Sequence, residues 1–417
     1  MKGNSHAGKL LRSGIIFSAM SFLTGMGNLA FQSVMGYHLK ASGEYASANS
    51  AINGFMPLLA LLPAVAVMAV THYIAHFNAA GDTERLQNLL AGCRRFLFHL
   101  MLFGSLLAVI AIKPLSLLFH YSTSLMLVTL ACTLLGLWTS LATALCQGLA
   151  WFKRLALITF IAMLLRVGFG YVVTLKWPTP EMTVAASIFA LLAYLILWFW
   201  RKELVPPRPT GASSPWNREF LMYLTISAAF IVGNYCFSQG DLMVMQLHFG
   251  ATDSDSYAAA ERLAAALPMA AGPLLTVLFT HRSVAHTSSA LREQLKLLAV
   301  YAGGLIAGAG CLFVLRHFCL MILHKDSPEA AGMIGRLAAA MVFIGLLQAV
   351  GTWALASRWI KISLLYGVLG MGYWALILVA GKTPAALLHT MPVATSAAFF
   401  IVLGCWIAAM KRHQPAA

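Results

Sequence analysis

GDLMVMQLHFGATDSDSYAAAERLAAALPMAAGPLLTVLFTHRS, residues 240–283, decides how the chain is read. It contains the end of one apolar segment, a short polar turn around Gly250–Ser256, and most of a second apolar segment. Asp241, Glu261 and Arg262 lie inside the apolar parts, where an ionised group is expensive to hold and is usually functional or paired. Two antiparallel helices would bring Asp241 and Arg262 to similar depth, so an Asp241–Arg262 ion pair is expected. Its role stays open between a lock for the hairpin and a cavity site where a substrate anion, a proton or Na⁺ competes for the same partners. Glu261 also has the alternative of reaching surface water.

The rest of the sequence supports a membrane setting for this hairpin. Of 417 residues 60% are hydrophobic and 10% charged, far below the roughly 25% charge of a soluble protein. Apolar runs of about 20 residues recur along the whole length. We predict an all-α polytopic membrane protein with spans at 12–36, 48–75, 94–117, 123–146, 154–175, 182–200, 219–248, 256–280, 296–315, 332–356, 361–380 and 390–410. The net charge of +15 is spread over short loops and gives no indication of nucleic-acid binding. Seven cysteines without a CxxC pair read as small buried hydrophobes. The basic N-terminus runs into a long first span with no small-residue cleavage site, so no removable signal peptide is expected. Lys and Arg concentrate in alternate loops, which puts both termini in the cytoplasm. Residues 80–95, AGDTERLQNLLAGCRR, read as a short amphipathic helix lying on that surface.

The Pro/Ser/Gly-rich stretch Arg201–Asn217 separates two similar halves. Residues 1–205 form an N-terminal six-helix bundle, 206–217 a cytoplasmic linker, and 218–417 a C-terminal six-helix bundle. Tyr45-Ala46 and Tyr257-Ala258 each open an Ala-rich segment that carries a proline, Pro57 or Pro268, and ends in Thr-His at His72 or His281. His76 and His286 follow. An even number of spans per half relates the halves by an axis along the membrane normal, with a central cavity between them. Pro57, Pro63, Pro268 and Pro273 are expected to kink their helices, and the histidines to be interfacial.

No nucleophile–base pair, HExxH, P-loop or dinucleotide fingerprint occurs, so catalysis is not expected and the informative residues are polar groups at membrane depth. Arg166 sits mid-span, about 15 Å from the nearest end, which is far for snorkelling. A cavity-facing guanidinium there would suit a phosphate or an acidic sugar. Asn28, Gln32, Asn49 and Asn53 are the uncharged first-half counterparts; they can bond sugar hydroxyls or join helices.

The segment Asp241…Tyr257-Ala258-Ala259-Ala260-Glu261-Arg262-Leu263…Leu267-Pro268…Thr276-Val277-Leu278-Phe279 resembles spans seven and eight of the polysaccharide-export branch of the MOP flippase superfamily, which includes the Wzx-type O-antigen flippases. Cys146-Gln147-Gly148-Leu149-Ala150-Trp151-Phe152 is similar to that family's approach to span five, and Gly43-Glu44-Tyr45 to its turn after span one. The resemblance implies a MOP/MATE-like fold in the bacterial inner membrane. It also implies export of an isoprenoid-diphosphate-linked oligosaccharide for lipopolysaccharide or other cell-surface polysaccharide by alternating access. An H⁺ or Na⁺ gradient would drive it, without a bound cofactor. Arg262 would bind the anionic substrate and Asp241 is the matching seventh-span acid. Membrane lipids, and a polysaccharide polymerase or glycosyltransferase, are the implied partners. Ser21–Gln32 carries no charge, which argues against peptidoglycan precursor as substrate. The alternatives are a multidrug/cation antiporter of the same fold and a non-transporting subunit of a glycan-synthesis complex.

Overall fold

A computed structural model describes residues 3–194, 218–284 and 291–413, and it is all-helical over them. The helices are α1 (Gly3–His38), α2 (Glu44–Ser50), a π-turn (Ala51–Phe55), α3 (Met56–Leu59), α4 (Leu61–Ala80), α5 (Thr83–Leu118), α6 (Thr123–Gly148), α7 (Phe152–Lys176) and α8 (Pro180–Leu191). After residue 217 follow α9 (Arg218–His248), α10 (Ala251–Val284), α11 (Leu291–Val314), α12 (Arg316–Ile322), α13 (Pro328–Ala356), α14 (Ile360–Ala380) and α15 (Pro384–His413). Nine of the described helices are long and apolar enough to cross a membrane. The chain is a multi-pass membrane protein. The 206–217 linker, the end of the 182–200 span, His286 and the side chains of Pro273 and His281 lie outside the described residues.

Helix starts follow local chemistry. Asp82, Ser122, Thr179 and Ser327 each accept a hydrogen bond from a backbone N–H three residues on, with Pro180 and Pro328 in the first turns of α8 and α13. The Asp82 cap starts one continuous helix through Leu118, so the separate surface helix expected at 80–95 is instead the first turns of α5. Leu102, Phe103, Leu106, Leu107 and Ile110 on α5 are left exposed, as a lipid-facing stripe requires. The second span is broken: the π-turn widens it at Ala51–Phe55, and a further break falls at Ala60 between Pro57 and Pro63.

Helix pairing repeats along the chain. α1 packs on α7 as α9 packs on α14, and α4 packs on α6 as α10 packs on α13. Between the segments before and after residues 195–217, α1 meets α10, and α4 meets α9 and α10. One face of the molecule carries the turns at Ser42, Phe249 and His324, here called the far face. The near face carries His72, Phe220 and Arg358.

The α9–α14 pair is backbone-close. A Cβ on Gly370 would stand 2.5 Å from the Gly233 Cα, and one on Gly367 would stand 2.6 Å from the Ala229 carbonyl oxygen. Small residues permit this approach, and dispersion then holds helices that lipid would otherwise solvate equally well. Gly370→Ala is therefore expected to destabilise the detergent-solubilised protein by about 1–3 kcal/mol. Gly372→Ala, with nothing within 4 Å of the added methyl, should be neutral or slightly stabilising. Thermal unfolding of the two variants side by side checks this.

Candidate functional site

The site is built where α2 and the π-turn face α9 and α10. Tyr257, on α10, donates to Asp241 Oδ2 of α9 at 2.8 Å. Tyr45, on α2, donates to Gln32 Oε1 of α1 at 3.0 Å. The two tyrosines are thus used alike in the two halves, with an acid in one place and an amide in the other. One turn further on, Tyr257 is followed by Glu261 and Tyr45 by Asn49, since residues four apart share a helix face. The repeat then slips: Pro57 falls one place later relative to Tyr45 than Pro268 does relative to Tyr257, and the π-turn takes up that extra residue.

These second pairs meet between the halves. The Asn49 amide lies beside the Glu261 carboxylate, yet neither Asn49 Nδ2 nor either Glu261 oxygen closes a hydrogen bond among the described residues. Asn53 instead donates to Asn49 Oδ1 at 2.7 Å. Asp241 Oδ1 is likewise without a partner. Asp241 and Glu261 are both 0% exposed, and Glu261 feels the Asp241 charge. Two buried carboxylates that feel one another need a counter-charge to stay ionised together. Arg262 supplies part of it to Glu261, and a proton or a cation can supply the rest.

The expected Asp241–Arg262 ion pair does not form. Tyr257 and Glu261 occupy one face of α10; Arg262, next in sequence, is turned about 100° away. Its Nη2 reaches Met269 Sδ at 2.7 Å, one heptad on, and its Nη1 has no partner among the described residues. Glu261 is not at surface water either. Arg166 lies on the Phe31 ring at 4.4 Å and donates to Asn28 Oδ1 at 3.3 Å, with its Nε unpaired among the described residues. Asn28, Gln32 and Asn53 thus all spend hydrogen-bonding capacity inside the protein. The Arg166 and Arg262 guanidinium groups, one from each half, are electrostatic neighbours.

Sequence reasoning missed the contacts that close the seam between the halves. On the far face Asp255 Oδ1 accepts from the Ala46 N–H at 2.8 Å, capping α2, whose own N-cap Gly43 has φ 83° and no side chain to do so. Lys325 joins it, 3.5 Å from Asp255 Oδ2 and 3.0 Å from the Leu39 carbonyl. On the near face His72 is buried rather than interfacial. It stacks on Tyr223 at 4.3 Å and lies 2.9 Å from Arg358 Nη2. The pairings join residues too distant in sequence for any local pattern to announce them.

The fold is that of known transporters. The Vibrio cholerae MATE transporter VcmN in its bent form matches with a TM-score of 0.67 at 12% identity, over 97% of this chain and 98% of that one. The MATE multidrug transporter DinF-BH matches at 0.73 and 14%, over 96% and 95%. An outward-facing multidrug resistance MATE family transporter of the MOP superfamily matches at 0.67 and 14%, over 97% and 98%. No family model and no curated protein matches the sequence. At this identity the likeness establishes the architecture: an all-α, multi-pass membrane protein with the MATE fold.

The Tyr257–Asp241 contact yields a direct test. Tyr257→Phe leaves Asp241 Oδ2 buried and unpaired, at an expected cost of about 1–3 kcal/mol in stability. Adding Asp241→Leu removes the stranded acceptor and should recover most of that loss. Thermal unfolding of the single and double variants reads the difference.

Proposed function

We propose that this chain is a secondary transporter that flips an isoprenoid-diphosphate-linked oligosaccharide across the bacterial inner membrane by alternating access, for cell-surface polysaccharide assembly. The observation that carries this reading is the Arg166–Arg262 pair. The two cations come from opposite halves and feel one another's charge, and neither has a carboxylate within 4.0 Å among the described residues. Each keeps an unpaired N–H, Nε on Arg166 and Nη1 on Arg262. Like charges held together at membrane depth call for an anion, and a diphosphate offers guanidinium groups the bidentate oxygens they bind best. Asp241 and Glu261 then serve the coupling ion, H⁺ or Na⁺, whose gradient drives the cycle.

In this reading the near face is cytoplasmic, both termini lie inside, and residues 1–205 and 218–417 rock against each other about the linker 206–217. The far-face latch of Asp255 and Lys325 belongs to a state closed toward the outside. Substrate arrives from the membrane lipid, and a polymerase or glycosyltransferase is the expected neighbour. A second reading, a multidrug/cation antiporter, is favoured by the buried Asp241 and Glu261 and by the transporters that share the fold.

Deleting the gene and extracting lipids separates the two. Isoprenoid-linked oligosaccharide should accumulate, and wild-type protein should clear it. Arg166→Ala and Arg262→Ala, present at normal membrane levels, should each clear it at least about tenfold less well, as expected for one lost charge-assisted contact of about 1.5–3 kcal/mol. Unchanged lipid-linked pools together with raised sensitivity to cationic dyes would overturn export in favour of the antiporter.

A further inference from the structure

A cavity of about 500 Å³ opens on the far face between the halves. That volume lies within the range of small-molecule sites. The first half contributes Glu44, Ser47, Ser122 and Glu181 to its wall, and the second half contributes Gln246 and Phe249. Among the described residues neither lysine nor arginine lines it, while His120 does.

The polar groups are held in place before any ligand arrives. Glu181 Oε1 accepts from Ser122 Oγ at 2.6 Å and from Ser124 Oγ at 2.9 Å. Gln246 forms the floor: its Oε1 accepts from Ser50 Oγ at 3.0 Å and its Nε2 donates to the Phe119 carbonyl at 3.0 Å. Tyr121 in turn donates to Ser50 Oγ at 2.8 Å. A carboxamide so used still has one N–H and one lone pair, and a carboxylate has further acceptor sites. Phe249, edge-on to Tyr257 at 5.6 Å, adds an apolar surface.

Fixed acceptors, hydroxyls of either sense and one aromatic wall suit a ligand that presents many hydroxyl groups on one side and C–H bonds on the other. Glu44 and Glu181 would repel a phosphate or a uronate; among the described residues no lysine or arginine lines the cavity to offset them, and His120 is the one imidazole there, against two carboxylates. The position completes the argument. Ser50, beneath the floor, is the chain neighbour of Asn49, whose amide faces Glu261. Ala46 and Ser254, in the wall, flank the Asp255 latch. The cavity therefore lies one layer of side chains from the central site, on its far-face side.

We propose that this vestibule is an exit subsite for uncharged sugar residues, which receives the glycan as its diphosphate anchor still occupies the arginine pair. The proposal rests on the export reading above. It assigns the two ends of the substrate to different chemistry: the anionic anchor to Arg166 and Arg262, and neutral polyhydroxylated residues to Glu181, Gln246 and Phe249.

The test uses the full chain in lipid nanodiscs and ligand-observed saturation-transfer NMR, with maltose and N,N′-diacetylchitobiose as uncharged probes and digalacturonate as the anionic one. At least one uncharged disaccharide should give a signal at least about fivefold stronger than digalacturonate. Glu181→Gln should weaken that binding about tenfold. Ser47→Phe, which fills the cavity without touching the Glu181 hydrogen bonds, should abolish it; this keeps the test decisive if the Glu181 variant does not fold. No signal from either uncharged sugar, an equal or stronger signal from digalacturonate, or a signal unchanged by Ser47→Phe would overturn the subsite. If lipid-linked glycan accumulates in the deletion strain while the vestibule binds no sugar, the subsite fails and the export reading stands. If nothing accumulates, the export reading fails and takes the subsite with it.

Discussion

Two carboxylates held out of water, with no cation within ion-pair distance among the described residues, set the terms for the rest of the structure. Asp241 and Glu261 are fully buried where the halves meet, and Tyr257 satisfies only one of their four oxygens. Burying an unpaired carboxylate costs far more than any single packing contact returns. Protonation or a bound cation would relieve such a site beyond what the Arg262 charge does for Glu261, and its free energy then depends on what occupies it. That dependence is what an ion-driven conformational cycle needs, because an occupant can shift an equilibrium only by its differential affinity for the two states.

The seams around this site combine apolar packing with a few polar links. Within each half the helices meet through apolar side chains and, in α9 and α14, through bare backbone at Gly233, Gly367 and Gly370. One cluster of buried apolar residues spans both halves, and on the far face polar links add to it: Asp255 on the Ala46 amide and Lys325 on the Leu39 carbonyl, with Lys325 also on Asp255 of its own half. Each link can be exchanged for water at modest net cost, since a hydrogen bond contributes only about 0.5–1.5 kcal/mol after solvent competition. The π-turn directly follows α2, the helix that Asp255 caps. It puts Asn53 against Asn49 and frees the Gly54 carbonyl to accept from Tyr235 at 3.1 Å.

The failure of the expected Asp241–Arg262 pair is instructive. Depth along a helix can be counted from its ends, and the counting led to the expectation that Asp241 and Arg262 would meet. Azimuth cannot be counted that way. Tyr257, Glu261 and Arg262 are close in sequence, but the last is a third of a turn away, and the helix's rotation decides that the carboxylate, not the guanidinium, faces Asp241's side. For Arg166 likewise, the direction of the side chain depends on Phe31 and Asn28 of a helix far away in sequence.

By itself the sequence determined the membrane setting, the helical class, the positions of most spans and the correspondence of Tyr45 with Tyr257. All of these rest on composition and on periodicities that act within one segment. It also singled out Asp241–Ser283 as the costly hairpin. Only the tertiary structure decided that Tyr257 serves Asp241, that Glu261 faces Asn49 across the halves, that the arginines of opposite halves are neighbours, and that Asp255 caps a helix it is not part of. Those outcomes depend on how each helix is rotated about its own axis when it packs. Close contact between neighbours sets that rotation, and lipid, which is as apolar as the side chains it replaces, leaves it undetermined.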